Sequence, residues 1–199
     1  MQRIWNYADG SPHADDEVSL HAVGRAMVDV NATLANVYAD FALATTRPST
    51  SFDEGADYPV RTDPTARLSR PDLPTVTTRR LDHLTFATQA YEPFGPIASG
   101  ARLALTLDLP RRSYGARARV MVERLDGSTT RVPVRLDAYG DARTVVGFDK
   151  STVRRVLVVM VNGSDRIDLS TCWRAATDYT CHGRPLDDGR RYSVAAAIL

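Results

Sequence analysis

The sequence predicts a mainly β protein, in which two short α-helices precede an antiparallel β-sandwich of about eight strands. Three observations predict this fold. From residue 81 onward, apolar residues recur at every second position, which is typical of strands with one buried face. Turn-forming residues interrupt this alternation about every ten residues. In the first 47 residues, apolar positions instead recur at helical spacing. The strand pattern therefore indicates an immunoglobulin-like or jelly-roll-like sandwich.

Composition and charge exclude several classes of protein. The 199 residues are 43% hydrophobic and 25% charged, which is ordinary for a globular chain and excludes a disordered tail or a collagen-like repeat. The 25 basic and 24 acidic residues nearly cancel, so the chain as a whole is not drawn to nucleic acid. The longest apolar run, residues 156–161, is far shorter than the roughly 18 residues of a membrane span. We expect neither a nucleic-acid partner nor a membrane span.

Two helices are predicted within residues 1–47. The first follows the acidic residues 15–17, whose charges favour a helix start. The second has Asn31 as its N-cap and ends near Thr46, because Pro48 disfavours helix in the residue before it. The apolar stripes of these helices are Val18, Leu20, Val23, Met27 and Val28 in the first, and Leu34, Val37, Tyr38 and Phe41 in the second.

Helices this short need a partner surface. They bury an apolar stripe only against something else, so residues 1–47 are interpreted as the helical remnant of an upstream domain. Without that domain, four apolar side chains should either fold onto the sandwich or form an exposed patch. These are Trp5, Leu20, Val23 and Met27.

Residues 48–75 are predicted to be a proline-rich linker. They hold five prolines and show no sustained periodicity. Because Phe52, Tyr58 and Leu68 interrupt this polar stretch, we expect it to dock on a neighbouring part of the protein, with a solvated tether as the alternative.

Residues 76–199 are predicted to form the sandwich domain. The predicted strands are residues 81–88, 103–109, 119–123, 132–136, 144–148, 153–162, 179–181 and 191–197. Residues 156–161 are apolar on both faces, so this segment should be a central strand that is covered on both sides.

The turn of one hairpin can be derived from register. If Val120 and Val122 share a face with Val132 and Val134, the loop between their strands must hold an odd number of residues. We therefore predict a three-residue loop over residues 125–127, with Gly127 in the left-handed conformation that such loops need.

The catalytic motifs that we considered are absent from the sequence. Residues His13, His21, His83 and His182 do not form a His-Glu-x-x-His zinc helix, and there is no nucleophile elbow or phosphate-binding glycine loop. We therefore expect no catalysis by this chain itself. The alternative is a hydrolase whose Ser-His-Asp triad is assembled from distant residues, with His83 or His182 as the base.

Several segments are candidate binding sites. Residues 162–165 and 187–189 resemble calcium-binding loops, with ordinary hairpin turns as the alternative. The pairs Arg111-Arg112 and Arg154-Arg155 lack interleaved aromatic residues, which argues against nucleic-acid binding. A carbohydrate-binding face would need coplanar exposed rings, for which the candidates are Tyr91, Phe94, Tyr114 and Tyr139.

The two cysteines, Cys172 and Cys181, are close enough in sequence to meet across a hairpin. A disulfide closing so short a loop would contribute about 2 to 3 kcal/mol. Two free buried thiols in a cytosolic protein are the alternative. A metal site is disfavoured, because His182 would bring the set to only three ligands.

Taken together, the motifs resemble the C-terminal region of secreted bacterial zinc metalloproteases, in which the end of a helical catalytic domain is followed by a β-domain. The motifs are Ile4-Trp5, Asp16-Glu17-Val18-Ser19-Leu20, Phe41-Ala42, Glu54-Gly55 and Tyr58-Pro59, then Cys172-Trp173, Tyr179-Thr180-Cys181-His182-Gly183 and Pro185-Leu186-Asp187-Asp188-Gly189. The resemblance implies a β-domain, secretion and a structural Cys172–Cys181 disulfide. It implies no catalytic residue and no cofactor here, because the zinc helix of such proteins would precede Met1.

The leading hypothesis is thus a non-catalytic, extracellular accessory module that supports or anchors a metalloprotease or binds its substrate. Its expected partners are an upstream catalytic domain in the same polypeptide and a protein or cell-wall glycan. The alternative is a self-contained secreted β-sandwich for carbohydrate binding or adhesion.

Overall fold

The computed structural model describes residues 2–9, 11, 19–58, 62–69, 74–168 and 183–199. It confirms a mainly β fold, in which two sheets pack face to face and short helices precede and flank them. The helices are α1 (Gln2–Tyr7), α2 (Ser19–Val28), α3 (Leu34–Ala44) and α4 (Pro48–Ser51). The strands are β1 (Thr65–Leu68), β2 (Thr75–Leu81), β3 (Thr85–Pro93), β4 (Arg102–Asp108), β5 (Ala116–Arg124), β6 (Thr129–Val132), β7 (Asp141–Gly147), β8 (Val153–Asn162), β9 (Ile167–Asp168), β10 (Arg184–Pro185) and β11 (Arg190–Ile198).

The larger sheet has five strands in the order β1-β3-β8-β5-β6. Its pairs are antiparallel except for β1 and β3, which run parallel with Thr65 opposite Ala90. The prediction of a purely antiparallel sandwich is therefore wrong at this edge. The chain crosses to the other sheet as β2 between β1 and β3, and such a crossover brings it back in the same direction.

The smaller sheet is antiparallel, with four strands in the order β2-β11-β4-β7. Alternation in β4 buries Leu103, Leu105 and Leu107 completely or nearly so, as predicted. These leucines meet the inward residues of β8 and β5, and the two inner faces together form the main core. β9 and β10 form a separate two-stranded pair at one end of the sandwich.

The central strand β8 is buried on both faces, as predicted from its continuous apolar run. Val156, Val158 and Met160 point into the core between the sheets. On the opposite face, the side chains of residues 157, 159 and 161 pack with α3, whose buried contacts are Ala39, Ala42 and Leu43. Helix α3 is thus attached to the outer face of the larger sheet.

The hairpin between β5 and β6 confirms the predicted register. Val120 pairs with Val132, and the ladder closes with the Arg124 N–H donating to the Ser128 carbonyl at 2.9 Å. The loop is therefore residues 125–127, and Gly127 adopts φ 82° in the left-handed region.

Two of the predicted strands need correction. Residues 81–88 are not one strand: Leu81 ends β2 in one sheet and Thr85 begins β3 in the other. The break follows from a turn at Asp82, whose carbonyl accepts the Thr85 N–H at 3.2 Å, and from Leu84 at φ 50°. The predicted strand 132–136 ends at Val132, because Pro133 has no N–H to continue the ladder.

The helix boundaries also need one correction. The N-cap of α3 is Thr33, whose hydroxyl accepts the Asn36 N–H at 3.3 Å, and not Asn31. Asn31 instead lies in the left-handed region at φ 56°, after the end of α2, where asparagine is tolerated. The predicted start of the first helix at residues 15–17 lies outside the described residues.

The N-terminal helices bury their apolar residues only in part. Leu20, Val23 and Met27 are half-buried, whereas the Trp5 side chain is 67% exposed. Helices α1 and α2 are held together by the Tyr7 hydroxyl, which donates to Asp29 at 2.8 Å. None of the described helices has the length and apolar composition needed to cross a bilayer.

The segment 48–75 is structured over much of its length. It forms α4, a 3-10 turn, β1 and the first residue of β2. Leu68 packs against the core, and the Phe52 ring lies 6.1 Å from that of Phe41. The side chain of Tyr58, also expected to dock, is 60% exposed.

Candidate anion-binding groove

Four connections between strands of the two sheets meet at the end of the sandwich where β5 begins and β8 ends. The first three are residues 82–84, 109–115 and 133–140. The fourth joins β8 to β11, and its described parts at this end include residues 163–166 and 183–189. Loops at one end of a rigid sandwich are a common location for binding residues. The polar side chains at this end of the sandwich are therefore candidates for a binding site.

The two predicted calcium-binding segments do come together here, but around arginines. The Asp187 side chain is 1% exposed, and it accepts from the Ser164 hydroxyl at 2.8 Å. Arg166 and Arg190 each approach the same carboxylate at 3.2 Å. The Asp187 oxygens are thus occupied by protein donors, which favours the hairpin-turn interpretation. Within the described part of the chain, no group of three His, Cys, Asp or Glu side chains is placed to hold a metal ion.

This buried cluster holds the loop end together. The Asn162 side chain, fully buried at the end of β8, donates to the Asp187 carbonyl at 2.8 Å and to the Leu81 carbonyl at 3.3 Å. The Arg166 guanidinium lies over the Tyr114 ring at 4.3 Å from its centroid. Strand ends from both sheets and the β4–β5 loop are therefore fixed relative to one another.

Of the two histidines in the dispersed-triad hypothesis, the structure describes His83 but not His182. The His83 ring lies 3.4 Å from the Asp188 carboxylate, which also accepts the His83 N–H at 2.8 Å. Among the described residues, no serine, threonine or cysteine side chain bonds the His83 ring. The His21 ring contacts the Asp165 carbonyl at 3.2 Å. His13, His182, Cys172 and Cys181 lie outside the described residues.

An arginine-lined groove begins at the same end and runs along the outer face of the larger sheet. Its first hollow, of about 460 Å³, is lined by Arg111, Arg112, Ser113, Arg117, Ala138 and Tyr139. The second, of about 340 Å³, is lined by Asn36, Arg112, Arg117, Ala118, Arg119, Val134, Arg135 and Leu136. Because the two hollows share Arg112 and Arg117, they form one continuous surface, which we call the arginine groove.

The alternation of β5 places its arginines in this groove. Ala116 and Ala118 point into the core, so Arg117 and Arg119 point to the outer face, beside α3. The groove exists because β6 pairs only with residues 120–123 of β5. Beyond Pro133 the chain departs from the ladder, and the space between it and β5 is left open.

The positive charge of the groove is largely uncompensated. Arg119 pairs with Asp40 at 2.8 Å. Within the described residues, the other four groove arginines have no carboxylate partner; these are Arg111, Arg112, Arg117 and Arg135. The Arg117 guanidinium donates to the Asn36 side chain at 2.7 Å and to the Ala116 and Arg112 carbonyls at 2.8 and 3.0 Å.

The surroundings of Arg117 are electrostatically strained. Burial lowers the pKa of its guanidinium, and the neighbouring charges of Arg112 and Arg119 lower it further. A bound anion would relieve this repulsion. The groove therefore has the charge, the planar donors and the open space that carboxylate, sulfate or phosphate groups need.

The predicted aromatic platform does not form. Tyr91 is fully buried in the core, where burial raises the pKa of its hydroxyl to about 12. Tyr114 lies beneath Arg166, and Phe94 and Tyr139 are at opposite ends of the sandwich. A carbohydrate-binding face made of coplanar rings at these four positions is thus not available.

The groove was not predicted from the sequence. Arg111-Arg112 was considered only as a nucleic-acid-binding pair, Arg119 lay at the start of a predicted strand, and Arg117 was not assigned to any element. Two features of the sequence could have indicated the groove. Arg117 and Arg119 are two residues apart, so on a strand they share a face, and the pair Arg111-Arg112 lies close to them in sequence.

No protein-family model and no curated protein matches the chain. The solved structures with a distant likeness to the chain include three from bacteria. The first is the pre-peptidase C-terminal domain of a collagenase from Bacillus anthracis, with 6% identity, 70% of this chain and 98% of that chain covered, and a TM-score of 0.37. The second is PliG of Aeromonas hydrophila, a periplasmic inhibitor of g-type lysozyme, with 13% identity, 69% and 100% covered, and a TM-score of 0.31. The third is AlgX of Pseudomonas aeruginosa, with 13% identity, 65% and 27% covered, and a TM-score of 0.30. At these identities and TM-scores, the function of this chain has to be inferred from its own residues.

Proposed function

We propose that this chain is a non-catalytic accessory module of a secreted metalloprotease-like protein, and that it anchors this protein by binding an acidic polysaccharide in the arginine groove. One observation carries the proposal: among the described residues that line the groove, five are arginines and none is acidic. The chain as a whole has a net charge of only +1, so this concentration of charge is local.

The groove favours a polysaccharide over an extended acidic peptide. A peptide that joined the sheet as an extra strand would need the free edge of β5 at residues 116–119. There, the Arg117 and Arg119 side chains already donate to the Ala116 and Ala118 carbonyls, at 2.8 and 3.2 Å. These bonds block the edge in the way that charged residues protect sheet edges from strand addition.

The groove also favours a polysaccharide over nucleic acid. Proteins that bind single strands alternate basic residues with rings on which bases stack. Among the described lining residues Tyr139 alone is aromatic, and the Arg111 guanidinium lies over its ring at 5.7 Å. Carboxylate or sulfate groups repeated along a sugar chain match a row of guanidinium groups without any stacking.

The link to an upstream domain is supported by the N-terminal helices. Trp5, Val28 and Val30 have exposed side chains, at 67%, 66% and 57%, on the part of the chain that would adjoin such a domain. Secretion and the Cys172–Cys181 disulfide follow from the motif resemblance and belong to the same proposal. The self-contained carbohydrate-binding module is the alternative, and it shares the groove but not the helical attachment.

The test is a binding titration of the full chain with polygalacturonate as the acidic polysaccharide and dextran as the neutral one. We expect saturable binding of polygalacturonate that weakens as salt increases, and no binding of dextran. In the double variant Arg112→Gln and Arg117→Gln, affinity should fall at least about tenfold, since each charged hydrogen bond contributes about 1.5 kcal/mol or more. Arg191→Gln, an exposed arginine on β11 outside the groove, is the matched control.

Three outcomes would overturn the proposal. Dextran could bind as well as polygalacturonate, or the double variant could bind polygalacturonate as tightly as the Arg191→Gln control does. A single-stranded oligonucleotide that binds in the same groove more tightly than polygalacturonate would assign the groove to nucleic acid instead.

A further inference from the structure

A separate hollow outside the arginine groove is lined mainly by apolar and aromatic residues. It lies where the carboxyl end of α3 meets α4 and the following 3-10 turn. Its volume is about 370 Å³, within the range of small-molecule sites, and its lining residues are Phe41, Thr45, Pro48, Phe52, Glu54 and Tyr58. We call it the aromatic pocket.

Three rings and one carboxylate surround this pocket. The rings of Phe41 and Phe52 are 6.1 Å apart and inclined at 56°, so they present two differently oriented faces. The Phe41 and Tyr58 side chains remain 48% and 60% exposed, which leaves their rings accessible to a ligand. Glu54, also exposed, supplies the carboxylate.

The walls of the pocket are held by backbone contacts. The Phe52 N–H donates to the Pro48 carbonyl at 3.0 Å, and the Gly55 N–H donates to the Phe52 carbonyl at 3.0 Å. A Cβ at Gly55 would lie 1.8 Å from the Pro48 carbonyl oxygen, so only glycine allows this close return of the chain. The positions of Phe52 and Glu54 are thereby set before any ligand binds.

The local charge is negative. Asp53, Glu54 and Asp57 occur within five residues, and in the described part of the chain none of the three has an ion-pair partner. Among the described residues that line the pocket there is no arginine, lysine or histidine. The carboxyl end of α3, next to Thr45, adds the partial negative charge of a helix terminus. A ligand for this pocket should therefore carry a positive charge on an apolar body.

We propose that the aromatic pocket binds an alkylated ammonium compound, a small molecule whose charged nitrogen carries methyl groups. Ring faces attract such cations through their negative quadrupole, and clusters of aromatic residues are the usual way in which proteins recognise quaternary ammonium groups. An acidic or neutral apolar ligand would gain nothing from the carboxylate of Glu54 or from the nearby charges of Asp53 and Asp57.

Choline is the probe, and its uncharged carbon isostere dimethylbutanol is the matched control for size and shape. Each is titrated into the full isotope-labelled chain while amide chemical shifts are followed by NMR. We expect choline to shift amides around Phe41, Thr45 and Glu54 in a saturable manner, and to bind at least about fivefold more tightly than dimethylbutanol, as a cation–π difference of about 1 kcal/mol requires.

Two exposed residues allow variants that should fold normally. Tyr58→Leu removes a ring face but keeps apolar volume, and Glu54→Gln removes the charge. Each should weaken choline binding about two- to fivefold. Phe94→Leu and Asp108→Asn, exposed residues outside the pocket, are their matched controls.

Equal affinity for choline and dimethylbutanol would overturn the proposal, because the pocket would then be only apolar. The absence of choline-induced shifts at the pocket would do the same, as would unchanged choline affinity in both pocket variants. Polygalacturonate binding should be intact in these variants, so this test is independent of the arginine groove.

Discussion

Gly115 connects the arginine groove to the buried cluster around Asp187. It has φ 82°, and a Cβ there would lie 2.4 Å from the Ser164 backbone nitrogen. Its carbonyl accepts the Gly163 N–H at 3.1 Å. The first residue of β5 can therefore approach the end of β8 only because position 115 has no side chain.

A pair of substitutions separates conformational strain from this close approach. Gly127 has the same φ of 82°, but a Cβ there would meet nothing within 4 Å. We expect Gly127→Ala to lower the free energy of unfolding by about 1 kcal/mol, and Gly115→Ala to lower it by about 3 kcal/mol or more. Urea unfolding of both variants measures the difference. Equal losses would show that the contact between residues 115 and 164 is not tight.

Two neighbouring arginines differ sharply in environment. Arg155 is 23% exposed and bridges Glu123 at 2.8 Å and the buried Asp63 at 3.4 Å. Arg154 is 65% exposed and reaches the same Glu123 at 3.2 Å. Arg155 thus ties the residues just before β1 to the centre of the larger sheet.

Arg155→Met should lower the free energy of unfolding by about 3 kcal/mol, because it leaves the buried Asp63 carboxylate without its cation and leaves Glu123 with only the exposed Arg154. Arg154→Met removes an exposed pair and should cost less than about 1 kcal/mol. Thermal or urea unfolding of the two variants measures this contrast. A similar loss in both would mean that the buried Asp63 carboxylate does not depend on Arg155.

At the scale of elements, Asp149 organises the turn between β7 and β8. Its carboxylate accepts the Gly100 N–H at 2.8 Å and the Ser151 N–H at 2.9 Å. These bonds, with that of the Ser151 hydroxyl, lower the pKa of Asp149 from 3.8 to about 2. The connection before β4 is thereby attached to the start of β8.

This shift predicts a pH dependence with a definite sign. Because the pKa is lower in the folded chain, the unfolded chain binds more protons between pH 4 and pH 2, and stability falls as the pH drops through this window. Asp149→Asn should show a smaller loss over the same window, measured by urea unfolding at several pH values. An identical pH dependence in variant and wild type would mean that the Asp149 carboxylate does not contribute.

Elements whose pattern is local were predictable. Alternation in β4 and β5, the double-sided apolar run of β8 and the parity of the 125–127 loop each depend on neighbouring residues alone. The break at Leu84 and the short strand β1 were missed. A positive φ at leucine has no sequence signal, and β1 is set by its partner β3 and not by its own four residues.

The arginine groove was not predictable for a related reason. Its arginines come from the β4–β5 loop, from β5 and from the chain after β6, and only the folded sandwich brings them together. The aromatic pocket likewise combines Phe41 from α3 with Tyr58 from beyond the 3-10 turn, inside a segment that was predicted to be a linker.

Across the whole molecule, charge is separated although the total is only +1. The arginine groove lies beside the amino-terminal half of α3, where Asn36 contacts Arg117, and the acidic aromatic pocket lies at its carboxyl end. One helix thus separates a surface suited to anions from one suited to cations. Both surfaces are on the outside of the larger sheet, away from the core between the sheets.

Amide chemical-shift mapping of the full chain with polygalacturonate locates the surface that the polysaccharide contacts. If the arginine groove binds an acidic polysaccharide, saturable shifts will be confined to residues 111–119, 134–139 and the start of α3, and they will disappear in the Arg112→Gln and Arg117→Gln double variant. Shifts located elsewhere on the sandwich, or no shifts at low salt, would contradict binding in this groove.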